Sequence, residues 1–193
     1  MNKLFPKKYN LVLKGISEKT LVEHYKLYEG YVNKVNEIWE KLKTSDRSKA
    51  NATYSEYREL KLEETFALDS VKLHELYFEN LGGTGGKPRG AISSMINASF
   101  GSFENWLVDF IACGISSRGW TVLYYDPIDM KLHNYLQDLH NHGIMLRALP
   151  LLVLDTYEHA YYIDYGTDKK SYIEAFLQNI KWSEVEKRLN SLY

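Results

Sequence analysis

The chain has 193 residues, of which 45% are hydrophobic and 25% charged, a composition that can bury a core and remain soluble. Its formal net charge of −1 gives no basic excess, so we expect neither a nucleic-acid partner nor attachment to a membrane. The single cysteine, Cys113, excludes an intrachain disulfide. The first residues lack the apolar region of a signal peptide, and no apolar run reaches membrane-spanning length. We therefore expect a cytoplasmic protein.

Two long helices are predicted in the N-terminal half. Ser17 is a typical N-cap, and apolar or aromatic residues follow it at helical spacing as far as Leu42. The polar segment SDRSKANATYS interrupts this pattern, and a second helical pattern then continues to Gly82 and Gly83. We predict a helical hairpin domain over residues 1–83. The glycine-rich segment GGTGGKPRG is predicted to be a flexible connection to a second domain.

The second predicted domain, residues 88–193, combines helices and strands. The segment AISSMINASFGSFENWLVDFIACGIS is predicted to form one helix interrupted near Gly101, or two short helices. Strand composition follows in GWTVLYYD and KLHNYLQD, which PIDM joins as a hairpin, and in the buried apolar run LPLLVLD. Helical patterns close the chain in DKKSYIEAFLQNI and WSEVEKRLNSLY. The predicted fold class is α+β: an N-terminal helical hairpin, then a three-stranded antiparallel sheet flanked by helices.

Three histidines and one carboxylate form the candidate site. His24 and His74 lie on the apolar faces of the two predicted long helices, and Asp155 and His159 follow the third strand, four positions apart. A single histidine on an apolar helix face is usually a core residue that bonds a neighbour. Two such histidines on facing helices, together with the Asp155–His159 pair, favour a metal site between the two domains. Three imidazoles and one carboxylate suit a redox-active first-row metal better than a closed structural zinc site.

Other chemistries fit the sequence less well. It contains no Glu-x-x-His pair of the helix-bundle di-iron type, no His-Glu-x-x-His metalloprotease motif and no phosphate-binding Gly-x-x-x-x-Gly-Lys loop. The segment GGTGGKPRG shares only its glycines with such a loop. Cys113 follows an apolar helical run, so we interpret it as a buried, inert thiol. A hydrolytic zinc site is the least favoured metal-site hypothesis.

Several segments resemble, in the same order, motifs of the iron/manganese superoxide dismutases. DTYEHAYYIDYG resembles the C-terminal signature Asp-x-Trp-Glu-His-Ala-Tyr-Tyr of that family. EHYKLYEGYVNKVNEI and KLHELYFENL resemble its first-helix and second-helix motifs, and SFGSFENW, GWTVL and YIEAFLQNIKW resemble later segments. The resemblance covers nearly the whole chain. It implies a superoxide dismutase that converts superoxide to O₂ and H₂O₂ by redox cycling of one iron or manganese ion.

The resemblance assigns roles to individual residues. It implies that the metal ligands are His24, His74, Asp155 and His159, with water or hydroxide as a fifth ligand. Tyr31 matches the family's channel tyrosine, and Trp120 matches a tryptophan that walls the metal pocket. The resemblance also implies a homodimer, because two residues match positions that cross the dimer interface, namely Glu158 and Tyr162.

The first helix departs from the family pattern. The spacing from His24 to Tyr31 is one residue shorter than usual, and one residue fewer rotates the following helix by about 100°. Our interpretation is that relatives carry a π-bulge there and that this chain does not. The family's gateway histidine has no match, because Leu27 or Tyr28 stands in its place. Other positions also differ: Phe78 and Tyr157 stand where tryptophans are common.

The glutamine that bonds the metal-bound solvent in the family is also missing. His140 or His142 stands where other members carry glutamine or histidine, and the motif favours His140. Val153, two residues before Asp155, replaces the glycine expected of manganese-preferring members. These two features favour iron, with use of both metals next. The alternative function is a metal-binding relative with weak or no catalytic activity.

Overall fold

The computed structural model describes residues 2–191. The N-terminal helix α1 spans Glu18–Thr44, and its N-cap Ser17 accepts a hydrogen bond from the backbone N–H of Thr20. All of α1 is α-helical, with no π turn. A short 3₁₀ helix, Arg47–Lys49, lies in the polar segment, and α2 spans Glu56–Glu79. The predicted hairpin is therefore present, with α1 packed against α2.

The second helix ends earlier than the glycines that were expected to stop it. Its C-cap is Asn80, whose backbone N–H donates to the Leu76 carbonyl. The side chain of Asn80 turns into the core instead of continuing the helix. Its amide brackets Val153, accepting from the backbone N–H at 2.9 Å and donating to the carbonyl at 3.2 Å. A contact 73 residues away in the chain thus fixes the end of α2.

The glycine-rich segment is held against the C-terminal part of the chain. The N–H of Gly83 donates to the Asn179 carbonyl and that of Gly85 to the Ile180 carbonyl. A Cβ atom on Gly83 would lie 2.2 Å from the Ile180 carbonyl oxygen, so only glycine allows this approach. The segment was predicted to be a flexible connection, but the structure holds it in place. Its glycines allow the backbone to pack closely against residues 179–181.

Two helices precede the sheet. The sequence predicted either one interrupted helix or two short ones, and the structure has two. Helix α3 spans Gly90–Phe100 and α4 spans Phe103–Ser116. They separate at Gly101, whose φ of 82° favours glycine, and Ser102 then caps α4 by accepting from the Asn105 N–H.

Three antiparallel strands form the sheet, in the order β2-β1-β3. β1 spans Trp120–Asp126, β2 spans Lys131–Gln137 and β3 spans Leu149–Asp155. The central strand β1 is buried along its whole length. Its register places Trp120 opposite Asp155, so this tryptophan and the carboxylate residue lie side by side at one end of the sheet.

The chain after β3 forms one 3₁₀ turn, Glu158–Ala160, and three helices. These are α5 at Tyr162–Tyr165, α6 at Lys169–Gln178 and α7 at Trp182–Asn190. The 3₁₀ turn and α5 were not predicted, and the last two residues of the predicted final helix lie outside the described residues. α2 and α7 both pack against β3. Among residues 2–191, no helix is both long enough and apolar enough to cross a membrane.

Candidate metal centre

The four predicted ligands come from four different elements and converge at the end of β3. His24 on α1 and His74 on α2 are buried, because their positions fall on the faces by which the two helices pack. Asp155 is the last residue of β3 and is fully buried. His159 lies on the 3₁₀ turn, and its side chain keeps 30% of its surface exposed. The site is therefore built into the interior, with one ligand at its edge.

One carboxylate oxygen lies at the centre of the group. Oδ2 of Asp155 is 3.0 Å from Nε2 of His24 and 3.1 Å from Nε2 of His159. Nε2 of His74 lies 3.6 Å from the same oxygen. The four ligand atoms all lie within 4.8 Å of one another. The second carboxylate oxygen, Oδ1, accepts from the backbone N–H of Tyr157 at 2.9 Å, which orients Oδ2 toward the histidines.

The hydrogen bonding of His74 fixes its tautomer in a form that can bind a metal. Its Nδ1 lies 2.7 Å from the backbone carbonyl of Ser70, which can only accept, so Nδ1 carries the proton. Nε2 then presents a lone pair toward Asp155. This nitrogen is buried and has no hydrogen-bond partner within residues 2–191. A lone pair and a carboxylate oxygen that face each other in the interior fit a bound cation.

Electrostatics favour the same protonation states. Burial lowers the pKa of His24 and places the pKa of His74 well below its ordinary value. For Asp155, burial acts to raise the pKa, but the contacts with His159 and His24 outweigh it and hold the pKa well below the usual range. At neutral pH the site therefore presents neutral buried imidazoles and an anionic carboxylate. Those are the forms that metal binding requires.

A line of hydrogen bonds runs beside the ligands. The indole N–H of Trp120 donates to Nδ1 of His140 at 3.0 Å, and Nε2 of His140 lies 3.0 Å from the hydroxyl of Tyr31. Burial lowers the pKa of His140 to about 4, so this imidazole is neutral at pH 7. Because Nδ1 accepts from the indole, Nε2 carries the proton and donates to Tyr31. The ring of His74 packs 5.0 Å from that of Trp120 and 5.8 Å from that of Tyr31.

The structure separates the two loop histidines. His140 is 1% exposed and makes both contacts just described, whereas His142 is exposed. Cys113 is half-buried, and burial raises the pKa of its thiol to about 11, in keeping with an inert thiol. The predicted interface residues Glu158 and Tyr162 lie outside the ligand cluster on the surface beside it, where both are exposed.

Other residues support the site without having been predicted. The hydroxyl of Tyr172 donates to the backbone carbonyl of Asp155 at 2.8 Å and lies 3.1 Å from the hydroxyl of Tyr77. Asn80 joins the His74 helix to the strand that carries Asp155, through Val153. The sequence carries one signal for Asn80, since it directly follows the helical pattern around His74. Tyr172 begins the segment YIEAFLQNIKW that resembles the family, but helical spacing alone does not separate a supporting tyrosine from a core one.

Comparison with known proteins agrees with this geometry. The family model described as "Iron/manganese superoxide dismutases, C-terminal domain" matches residues 88–188. The chain is 45% identical over 181 residues to "Superoxide dismutase [Fe]" of Aquifex aeolicus, covering 91% of this chain and 85% of that protein. It is 39% identical over 180 residues to "Superoxide dismutase [Fe]" of Cupriavidus metallidurans, covering 91% and 89%. It is 33% identical over 189 residues to "Superoxide dismutase [Mn] 1" of Halobacterium salinarum, covering 95% and 91%.

The family model covers the later motifs, from SFGSFENW to YIEAFLQNIKW. The match to the Aquifex aeolicus protein covers 91% of the chain and so extends across the N-terminal hairpin, where the first-helix and second-helix motifs lie. The four side chains that the resemblance assigns to the metal lie together in the interior. This chain belongs to the iron/manganese superoxide dismutase family.

Proposed function

We propose that this protein is a superoxide dismutase that holds one iron or manganese ion through His24, His74, Asp155 and His159. The observation that carries the proposal is the convergence of three imidazole nitrogens and one carboxylate oxygen within 4.8 Å of one another. The bound ion supplies the one-electron redox chemistry by which two superoxide ions and two protons become O₂ and H₂O₂. A set of three nitrogens and one oxygen leaves room for a further ligand, which a redox site needs and a closed structural site lacks.

The protein's own groups then bind the ion and hold protons near it. Imidazole nitrogens bind a metal as neutral donors, so with the Asp155 carboxylate the bound set would carry a net charge of −1, which stabilises a cation in a buried position. The hydroxyl of Tyr31 holds a proton beside the site, since burial raises the pKa of its phenol. His140 holds another at Nε2 and is fixed by Trp120. We propose that this line orients Tyr31 and keeps its proton available to the substrate.

One observation favours the alternative, a metal-binding relative of low activity. The imidazole of His140 has a single N–H, and that N–H is directed at Tyr31, whereas a glutamine amide can donate twice. A group bound at the open position of the metal would then receive no hydrogen bond from His140. The experiment that separates the two proposals is to measure superoxide disproportionation per bound metal ion in the purified protein. Stoichiometric iron or manganese without a superoxide-dependent rate would favour the inactive relative.

Iron is the metal that we propose for this chain, with use of both metals as the next possibility. Two features support iron: His140 in place of glutamine, and the fully buried Val153 near Asp155. The relatives named as iron enzymes are 34–45% identical to the chain. Those named as manganese enzymes are 33% identical over most of the chain, and one is 40% identical over 114 residues. The test is to load the metal-free protein separately with each metal. Higher activity per bound manganese than per bound iron would contradict the preference.

We also propose a cytoplasmic homodimer with two domains, residues 1–83 and 88–193. The exposed positions of Glu158 and Tyr162, next to the ligand His159, support an interface on that face. In this arrangement the carboxylate of Glu158 would contact the partner's site, so the interface and the activity would depend on one another. Sedimentation of the metal-loaded protein would test the dimer directly.

A further inference from the structure

Tyr157 lies between two of the proposed ligands and has an unusual orientation. Its side chain as a whole is partly exposed, yet its hydroxyl oxygen is buried. The hydroxyl is therefore the inner end of the ring. Tyrosines at the edge of a core usually place the hydroxyl toward water and the ring toward the interior. Here the polar end is buried.

The ring of Tyr157 forms one wall of the metal site. It stacks on the ligand imidazole of His159, with ring centroids 5.3 Å apart and an angle of 16° between the planes. It lies 5.0 Å from the ring of His140 and 6.2 Å from that of Trp120, which it meets edge-on. Tyr157 thus closes the space between an outer ligand and the hydrogen-bonded line of Trp120, His140 and Tyr31.

The hydroxyl of Tyr157 has no hydrogen-bond partner among residues 2–191. A buried hydroxyl without a partner destabilises a protein, and phenylalanine would fill the same space without this cost. The other phenol at the site, Tyr31, has its partner in His140. The hydroxyl of Tyr157 is therefore a buried donor without a partner in the described residues, on a ring that packs against the ligand His159 and against His140.

We propose that the hydroxyl of Tyr157 donates a hydrogen bond to the small anion that binds at the metal site, namely superoxide. The inference rests on the proposed function and deepens it, because it names a protein group that contacts the substrate. The donor is a neutral phenol, so no proton needs to leave it for binding. Tyr157 would then supply the hydrogen bond to the bound anion that the single N–H of His140, already directed at Tyr31, does not supply.

The test compares the affinity for azide, a small anion with acceptor atoms at its ends, in the iron(III)-loaded protein. Azide is titrated and followed by its optical absorption at the metal, in the wild type and in Tyr157→Phe. We expect the dissociation constant to rise about tenfold or more in Tyr157→Phe, the size of one hydrogen bond to a charged partner. Tyr157→Leu, whose side chain has no N–H or O–H donor, is expected to weaken azide binding as well.

Tyr9→Phe is the matched control. The hydroxyl of Tyr9 is also buried without a partner in the described part of the chain, but its ring packs 5.1 Å from Phe78, outside the ligand group. We expect azide affinity to be unchanged in Tyr9→Phe. In the metal-free protein, both phenylalanine variants should unfold at or above the wild-type temperature, because each loses an unpaired hydroxyl. A purely structural role for Tyr157 would instead lower that temperature and leave azide affinity unchanged.

The outcomes separate this inference from the proposed function. An azide dissociation constant within about twofold of the wild type in Tyr157→Phe would overturn the inference, since one hydrogen bond to an anion contributes more than this. Loss of iron from both Tyr157 variants would also overturn it, because the residue would then act in metal retention. A wild-type protein that binds azide in a Tyr157-dependent way but does not disproportionate superoxide would overturn the proposed function alone.

Discussion

Replacing Arg188 with methionine should destabilise the protein by about 3 kcal/mol, because its guanidinium joins α7 to two other elements. The side chain is 8% exposed. Nη1 donates to the Leu151 carbonyl in β3 at 2.8 Å, and Nη2 donates to the Leu76 carbonyl in α2 at 2.9 Å. Methionine has a similar volume but no donor. The Leu76 carbonyl keeps its bond from the Asn80 N–H, so the Leu151 carbonyl is the acceptor that loses the guanidinium, at a cost of about 1–3 kcal/mol. Loss of the contact between Nη2 and the Glu79 carboxylate at 3.2 Å adds to this.

Thermal unfolding of the metal-free protein measures this effect. For a chain of this length, about 3 kcal/mol corresponds to a fall of about 6–12 °C in the unfolding temperature. Lys187→Met is the matched control on the same helix, since that side chain is 75% exposed and its tip pairs with Glu184 at the surface. The control should stay within about 0.5 kcal/mol of the wild type. If Arg188→Met also stays within that range, the carbonyl contacts do not hold α7 in place.

Three further predictions follow from the site. His24→Ala, His74→Ala and His159→Ala should each abolish metal retention measured by elemental analysis, and near-native metal content in any of them would contradict the ligand assignment. Glu158→Ala should weaken the dimer in sedimentation and lower activity together, so a fully active monomer would refute the interface role. In the metal-free protein, the free energy of unfolding should be highest at pH values above about 6.5 and should decrease as the pH falls below that value. At the lower pH the unfolded chain binds protons on His24 and His74, whereas burial keeps these histidines neutral in the folded protein. Denaturant titrations at several pH values would show this slope, and a flat profile between about pH 7 and 5 would contradict it.

Local signals in the sequence were enough to predict most elements. The cap at Ser17 and the helical spacing after it predicted α1, because these features act within one or two turns. The three strands followed from short apolar or β-branched runs bounded by turns. The ligands followed from the two histidines on helix faces, the Asp155–His159 pair and the family resemblance, and the structure brings all four together.

Features that depend on distant contacts could not be predicted in this way. The end of α2 is set by the bonds of Asn80 to Val153, and the glycine segment is fixed by the Ile180 carbonyl. The choice between the two loop histidines also depends on tertiary structure. The indole of Trp120, which selects His140, lies 20 residues earlier in the chain. The burial of the Tyr157 hydroxyl likewise depends on distant contacts, because the ring packs against His140 and His159.

The shortened spacing in the first helix has a physical explanation in the regularity of α1. In a regular α-helix, seven residues turn the chain by about 700°, which is about 20° short of two full turns. Tyr31 therefore lies on the same face as His24, about 10.5 Å further along the axis. A spacing of eight would place the tyrosine about 80° away around a regular helix, and only an irregular turn could bring it back. Because α1 is α-helical throughout, the seven-residue spacing is the one that directs the Tyr31 hydroxyl to His140, 3.0 Å away. The spacing that is one residue shorter than the family pattern and the absence of a π turn in α1 thus compensate for each other. The hydrogen bonds that join Trp120, His140 and Tyr31 can therefore form.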